Sequence, residues 1–98
     1  MQIIYVYASQ RSGKKWTAEF KETGVKIHFG AKNYEDYTIH KNSERMKRYI
    51  ARHAARENWN NMYSAGFWSR WLLWNKPSII SSARDIEGRY GVKVILRR

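Results

Sequence analysis

The sequence has no cysteine, one proline and only eight acidic residues, and these shortages narrow what the protein can be. Without cysteine there is no disulfide framework, no thiolate nucleophile and no cysteine-based zinc site, so the fold must stand on packing alone. No apolar run approaches the roughly 20 residues that a membrane-spanning helix needs. Met1 to Tyr7 is too short for a secretory leader and runs straight into polar Ser9-Gln10-Arg11, which predicts a soluble protein. The patterns GxGxxG, GxxxxGK and GxSxG are missing as well, which leaves nucleotide cofactors and serine hydrolysis without support.

What is present is a chain of 98 residues, 43% hydrophobic, which fits a single domain over residues 1–98. A domain this short buries only about two thirds of its unfolded surface, so a partner would add materially to its stability. Nineteen Lys and Arg against eight Asp and Glu give a net charge of +11. A field of that size favours nucleic acid, an acidic protein surface or an anionic membrane, although a basic surface can also serve solubility alone. Five Trp, seven Tyr and three Phe are more than a core of this size easily buries. Trp, Tyr and Arg are also the residues that anchor interfaces.

Hydrophobic periodicity places three strands first. Gln2 to Tyr7 is apolar and β-branched, Lys15 to Lys21 alternates through Trp16, Ala18 and Phe20, and Val25 to Phe29 alternates again. The turns at Ser9 to Gly13 and Glu22 to Gly24 make them a meander. Gly30 to Ile39 carries turn residues and predicts an ordered loop. A helix then starts at Asn42 or Ser43, with Met46, Tyr49, Ile50, His53, Ala54 and Glu57 along the face expected to pack on the sheet. Asn58 to Gly66 predicts a loop, Phe67 to Trp74 a short apolar helix stopped at Asn75-Lys76-Pro77, and Ile79, Ile80, Ala83, Ile86 and Tyr90 a third helix capped by Gly91. Val92 to Leu96 is the last strand. The expected fold class is α+β, a small antiparallel sheet of a three-stranded meander plus the C-terminal strand, covered by two or three helices in the order βββαααβ.

One constellation stands out on the first long helix. Lys41, Arg45, Arg48, Arg52 and Arg56 recur at steps of four, three, four and four, which keeps all five on one side, with only Glu44 and Glu57 to offset them. Guanidinium forks in a row suit a phosphate backbone or an acidic protein groove, whereas a solvated helix face normally mixes signs. The second constellation is Phe67-Trp68-Ser69-Arg70-Trp71-Leu72-Leu73-Trp74-Asn75-Lys76-Pro77. Apolar residues wrap most of this helix, which makes it a central core element, or else leaves Trp68 or Trp71 exposed as an anchor. Arg70, among aromatics, is expected to stack on them and to pair with Glu57, Asp85 or Glu87. Trp68, Arg70 and Lys76 thus join the five helical cations as candidate binding residues.

His28, His40 and His53 are the only histidines, and Glu35 and Asp36 lie near two of them. No HxH or HxxxH spacing links them, so neither a metal nor a cofactor is expected. Asp36 reads as a turn or cap residue and His40 as a hydrogen-bonded loop residue. No enzyme activity and no small-molecule substrate are expected.

The stretch HFGAKNYEDYTIHKNSERMKRYIARHAARENW, followed by AGFWSRWLLWNKPSI, closely resembles a family of small basic proteins found across the nucleocytoplasmic large DNA viruses, the giant-virus group. No catalytic residue carries over from that family. The resemblance implies a viral origin and a place in the virion, assembled in the infected host cell, either as a minor capsid protein or with the genome. The expected role is therefore a minor capsid (cement) protein that contacts other viral capsid proteins through the Arg row and aromatic surface. The alternative is a protein of genome packaging or replication that binds DNA or RNA with the same basic face.

Overall fold

The computed structural model describes residues 1–97. Strands β1 (Ile3–Ala8), β2 (Lys14–Phe20) and β3 (Lys26–Ala31) are followed by helices α1 (Tyr37–His40) and α2 (Ser43–His53). Helix α3 (Ala65–Trp68) continues into a π-helical turn, Ser69–Leu73; α4 (Ile79–Tyr90) and strand β4 (Lys93–Leu96) complete the order. The class is α+β, as the periodicity predicts. The meander is also present: β1 pairs antiparallel with β2, and β2 with β3. Gly13 (φ 80°) and Gly24 (φ 73°) supply the left-handed backbone that its two turns require.

The sheet is mixed and not antiparallel. Its order is β3-β2-β1-β4, and β4 lies parallel to β1 with Ile4 opposite Val94 and Val6 opposite Leu96. Parallel neighbours need a long crossover, here the whole helical region ending in α4. Alternation assigns each residue of β4 to a face but says nothing about strand direction, which is why the sequence suggests the wrong sense.

One sheet face carries the core. Ile4, Val6, Ala18, Phe20, Phe29 and Val94 meet Phe67, Trp68, Leu72, Leu73, Ala83 and Ile86, all essentially sealed from water. The cover is therefore α3, the π turn and α4, and the expectation that the Met46 to Ala54 face of α2 packs on the sheet is not met. Only Tyr49 of α2 is buried, and it packs on the helical layer instead: its ring stacks on Trp74, with centroids 4.4 Å apart.

Two further local departures have clear causes. The segment read as a loop from Gly30 to Ile39 ends in the short helix α1, because buried Asp36 caps it by accepting from the Thr38 amide at 2.9 Å. The aromatic block is not one regular helix. Trp74 donates its amide to Ser69 O at 3.0 Å, five residues back, and the extra residue in that turn rotates Leu72 and Leu73 together into the core while Trp71 and Trp74 stay partly exposed. Pro77 sits before the cap Ser78, not inside the first turn of α4, and Gly91 (φ 64°) closes that helix as expected. Ile80 is exposed and takes no part in the core.

Candidate polyanion-binding surface

Helix α2 begins where Asn42 Oδ1 accepts from the amides of Glu44 and Arg45 at 3.0 and 3.2 Å. It is held from one side only. The stack of Tyr49 on Trp74 is nearly parallel, and the His53 ring stacks on Tyr49 at 4.3 Å. The opposite face is turned to water, and it carries Lys47, Arg48 and Arg52.

The five-cation row does not survive intact. Lys41 precedes α2, in a left-handed conformation (φ 55°) at the end of α1, and its ammonium is spent on the carbonyls of Thr38 and Pro77. It ties α1 to the entry of α4 and is not part of the row. Arg45 faces Glu35 across 3.3 Å, an exposed pair of small energetic weight. Arg56 lies beyond the last residue of α2, His53, although it too is exposed. Arg48, Arg52 and Arg56 have no ion pair and no side-chain hydrogen bond among the described residues. The two acids expected to offset them are engaged elsewhere: Glu44 with Lys47 at 3.8 Å, and Glu57 with His53 at 3.6 Å and Trp59 Nε1 at 2.7 Å.

The aromatic block contributes less surface than expected. Trp68 is 0% exposed and donates its indole N–H to Met62 O at 2.8 Å, so it is a core residue and cannot anchor a partner in this structure. Arg70 does stack, with its guanidinium carbon 4.5 Å from the Trp71 ring centre and 5.4 Å from that of Trp59. It pairs with no acid, however. Glu57 is taken as above, Asp85 holds Asn75 and Arg89, and Glu87 holds Arg84 and the Val94 amide. Arg70 instead donates to Trp74 O at 2.9 Å, leaves its Nε buried without a partner, and is half-buried, which lowers its pKa from the usual arginine value. Lys76 is exposed at the turn, where its amide is held by Ser82 Oγ at 3.0 Å.

A groove of about 470 Å³ lies beside α2, lined by Lys15, Asp36, Tyr49, His53, Glu57 and Trp74 among others. Its lining sets Lys14 and Lys15 against Glu35, Asp36 and Glu57, with Lys15 on Asp36 at 2.7 Å, and burial raises the Tyr49 hydroxyl well above its ordinary pKa. The groove is therefore close to self-neutralised, and the uncompensated charge stands outside it on α2. His28, His40 and His53 lie on three different elements, and no cluster of three or more metal-ligating side chains occurs among the described residues. His40 Nδ1 accepts from the Asn42 amide at 2.9 Å, the hydrogen-bonded role its position suggests.

One further surface lies outside the residues that the charge and aromatic spacing single out. The sheet face opposite the core carries half-buried Tyr5 and Tyr7 of β1, Glu19 of β2 and His28 of β3 around buried Thr17, and no helical side chain bonds to or stacks on any of them among the described residues. The signal was available in β1, where Ile4 and Val6 alternate with Tyr5 and Tyr7.

Fold and surface together define a small α+β protein with one buried aromatic core and a basic helix mounted on its outside. The model of the Family of unknown function (DUF5754) matches residues 4–53, just over half of the chain, from β1 to the end of α2, and the chain belongs to that family. No curated protein and no solved structure matches it.

Proposed function

We propose that this protein is a non-enzymatic binding protein of a large DNA virus whose outward face of α2 holds a polyanion, and that the polyanion is nucleic acid. The observation that carries this is the set of exposed, uncompensated guanidiniums of Arg48, Arg52 and Arg56 on a chain of net charge +11. Arg48 and Arg52 rise about 6 Å along the helix axis, near two phosphate steps of a strand at about 3.4 Å each. Lys76 is a further free cation on the surface. The resemblance to small basic proteins of giant viruses supports a virion location and a role in packaging or replication.

The second reading is a minor capsid protein that docks the same arginines on an acidic groove of a neighbouring capsid protein. The compactness of the patch favours it, since three free guanidiniums suit a discrete acidic site as well as a long backbone. It loses its aromatic half, because Trp68 lies in the core and the exposed large apolar residues, Tyr34, Ile39, Tyr63 and Ile80 among them, are not joined in one stripe of sequence.

Fluorescence anisotropy with labelled duplex DNA across a salt series separates the two. Three phosphate contacts give a log-log slope of about −2.7, and Arg48→Gln with Arg52→Gln flattens it by about 1.8. No measurable duplex or single-strand binding at low salt, together with co-purification of the protein with the shell of disrupted particles, overturns the nucleic-acid reading in favour of the capsid one.

A further inference from the structure

The uncovered sheet face combines two properties that a polar surface seldom has together: adjacent aromatic rings and a cationic surround. Tyr5 and Tyr7 sit two residues apart on β1, a central strand of the sheet, so both rings emerge on the same side and both are half-buried by their neighbours. Tyr7 donates its hydroxyl to Glu19, which fixes that ring and occupies the carboxylate of the one acid in the register of this face. The Arg97 guanidinium lies 3.8 Å from the centre of the Tyr5 ring. Lys93 stands opposite Ile3, and Lys26 opposite Glu19, both exposed. On the β3 side His28 Nδ1 is 2.8 Å from Ser9 Oγ and 2.9 Å from Thr17 Oγ1, and burial together with nearby Arg11, Lys26 and Lys14 keeps its pKa below the ordinary histidine value.

We propose that this face is a stacking platform for single-stranded nucleic acid, with bases laid on the ring of Tyr7 and on the stacked pair of Tyr5 and Arg97, and the backbone held by Lys93 and Lys26. The inference deepens the nucleic-acid reading, on which it rests, by assigning the single strand to the sheet and leaving sequence-independent phosphate contact to α2. Every base offers a π face, so stacking on tyrosine tolerates any sequence, whereas a duplex keeps its bases inside and gives the rings nothing to hold. A protein partner recognised mainly by acidic side chains would use the cations and ignore the rings. That difference makes the tyrosines the place to test.

The test measures the anisotropy of labelled oligo-dT and of a labelled duplex of the same length with four proteins: the parent, Tyr5→Leu, Tyr7→Leu, and Arg48→Gln with Arg52→Gln. Leu keeps apolar bulk on the strand, and circular dichroism confirms that each variant folds. The expected result is oligo-dT bound at least about tenfold more tightly than duplex, a loss of about tenfold for oligo-dT in the Tyr5 variant, and duplex affinity unchanged within about twofold. The arginine variant weakens both ligands. Equal affinity for the two ligands with no effect of either tyrosine variant overturns the platform and leaves the α2 reading standing, because the arginine variant still responds. Polyglutamate competing as well as oligo-dT overturns the platform in favour of an acidic protein partner, and no binding of either nucleic acid overturns both readings. If Tyr5→Leu fails to fold, Tyr7→Leu carries the same comparison of oligo-dT with duplex, because it too removes a ring and leaves every cation in place.

Discussion

The ring of Tyr49 lies flat against that of Trp74, at 4.4 Å and an interplanar angle of 1°, and this contact joins the outer basic helix to the aromatic segment that fills the core. Tyr49 is the one buried residue of α2, with Arg45, Met46, Ile50 and His53 half-buried around it, so the stack is the main anchor of the helix. Tyr49→Ala should cost about 3 kcal/mol, the low end for a large aromatic truncation. Amide exchange should speed up in Ser43–His53 while the amides of β1 and β2 keep their protection. Uniform loss of protection across both would show α2 to be an integral part of the core.

Trp71 is held differently. Its indole N–H donates to Trp59 O at 2.9 Å, and the guanidiniums of Arg70 and Arg89 each lie 4.5 Å from its ring. Being only partly buried, Trp71 should cost about 3 kcal/mol when replaced by Ala, again at the low end for tryptophan. Trp71→Phe should recover part of that by keeping an aromatic face for the two cations. Denaturant titration giving less than about 1 kcal/mol for the Ala variant would mark Trp71 as a surface residue whose value lies in a partner.

Gly13 and Gly30 share a φ of 80° but differ in surroundings. A Cβ on Gly13 would meet nothing within 4 Å, whereas one on Gly30 would come 3.0 Å from Leu73 Cδ1 and 3.3 Å from Lys15 Cβ. Gly13→Ala should therefore cost only the left-handed penalty, about 1–2 kcal/mol. Gly30→Ala adds overpacking of about 1–3 kcal/mol. Equal losses in thermal unfolding would mean that the contact with Leu73 relaxes freely.

Asp36 is 2% exposed, accepts from Lys15 Nζ at 2.7 Å and caps α1. Asp36→Ala strands a nearly buried ammonium and should cost about 3–5 kcal/mol, while Lys15→Met with Asp36→Leu should cost less than the single change. A double variant worse than Asp36→Ala would assign most of the effect to the lost cap.

Acid should weaken the fold through two histidines. Burial lowers the pKa of His28 and of His40, with nearby arginines and lysines acting in the same sense, so at moderately acid pH the unfolded chain binds more protons than the folded one. The stability they contribute is fully present above the ordinary histidine value of about 6.5 and is lost as pH falls below it. Urea titrations between neutral pH and pH about 5 should show this decline, and His28→Gln with His40→Gln should flatten it. An unchanged pH dependence in the double variant would place the acid sensitivity in the carboxylates.

The sequence by itself determined the α+β class, the meander, a helix start at Asn42 or Ser43, the cap at Gly91 and the inward side of β2, because these depend on period, turn chemistry and local hydrogen bonding. It also placed Arg45, Arg48 and Arg52 on one side of a helix, since spacing alone fixes that. What it could not decide was whatever depends on distant partners. The direction of β4 is set by the crossover through α4, and the division of Leu72 and Leu73 from Trp71 and Trp74 by a π turn whose extra residue has no signature in a 3.6-residue period. The loss of Lys41 and Arg45 from the free row comes from Pro77 O and Glu35, which only the folded chain brings near. Helix α2 looked like a cover for the sheet because its apolar stripe is real. Which surface receives a stripe is settled by competition for core volume, and Phe67, Trp68, Leu72 and Leu73 had already filled it.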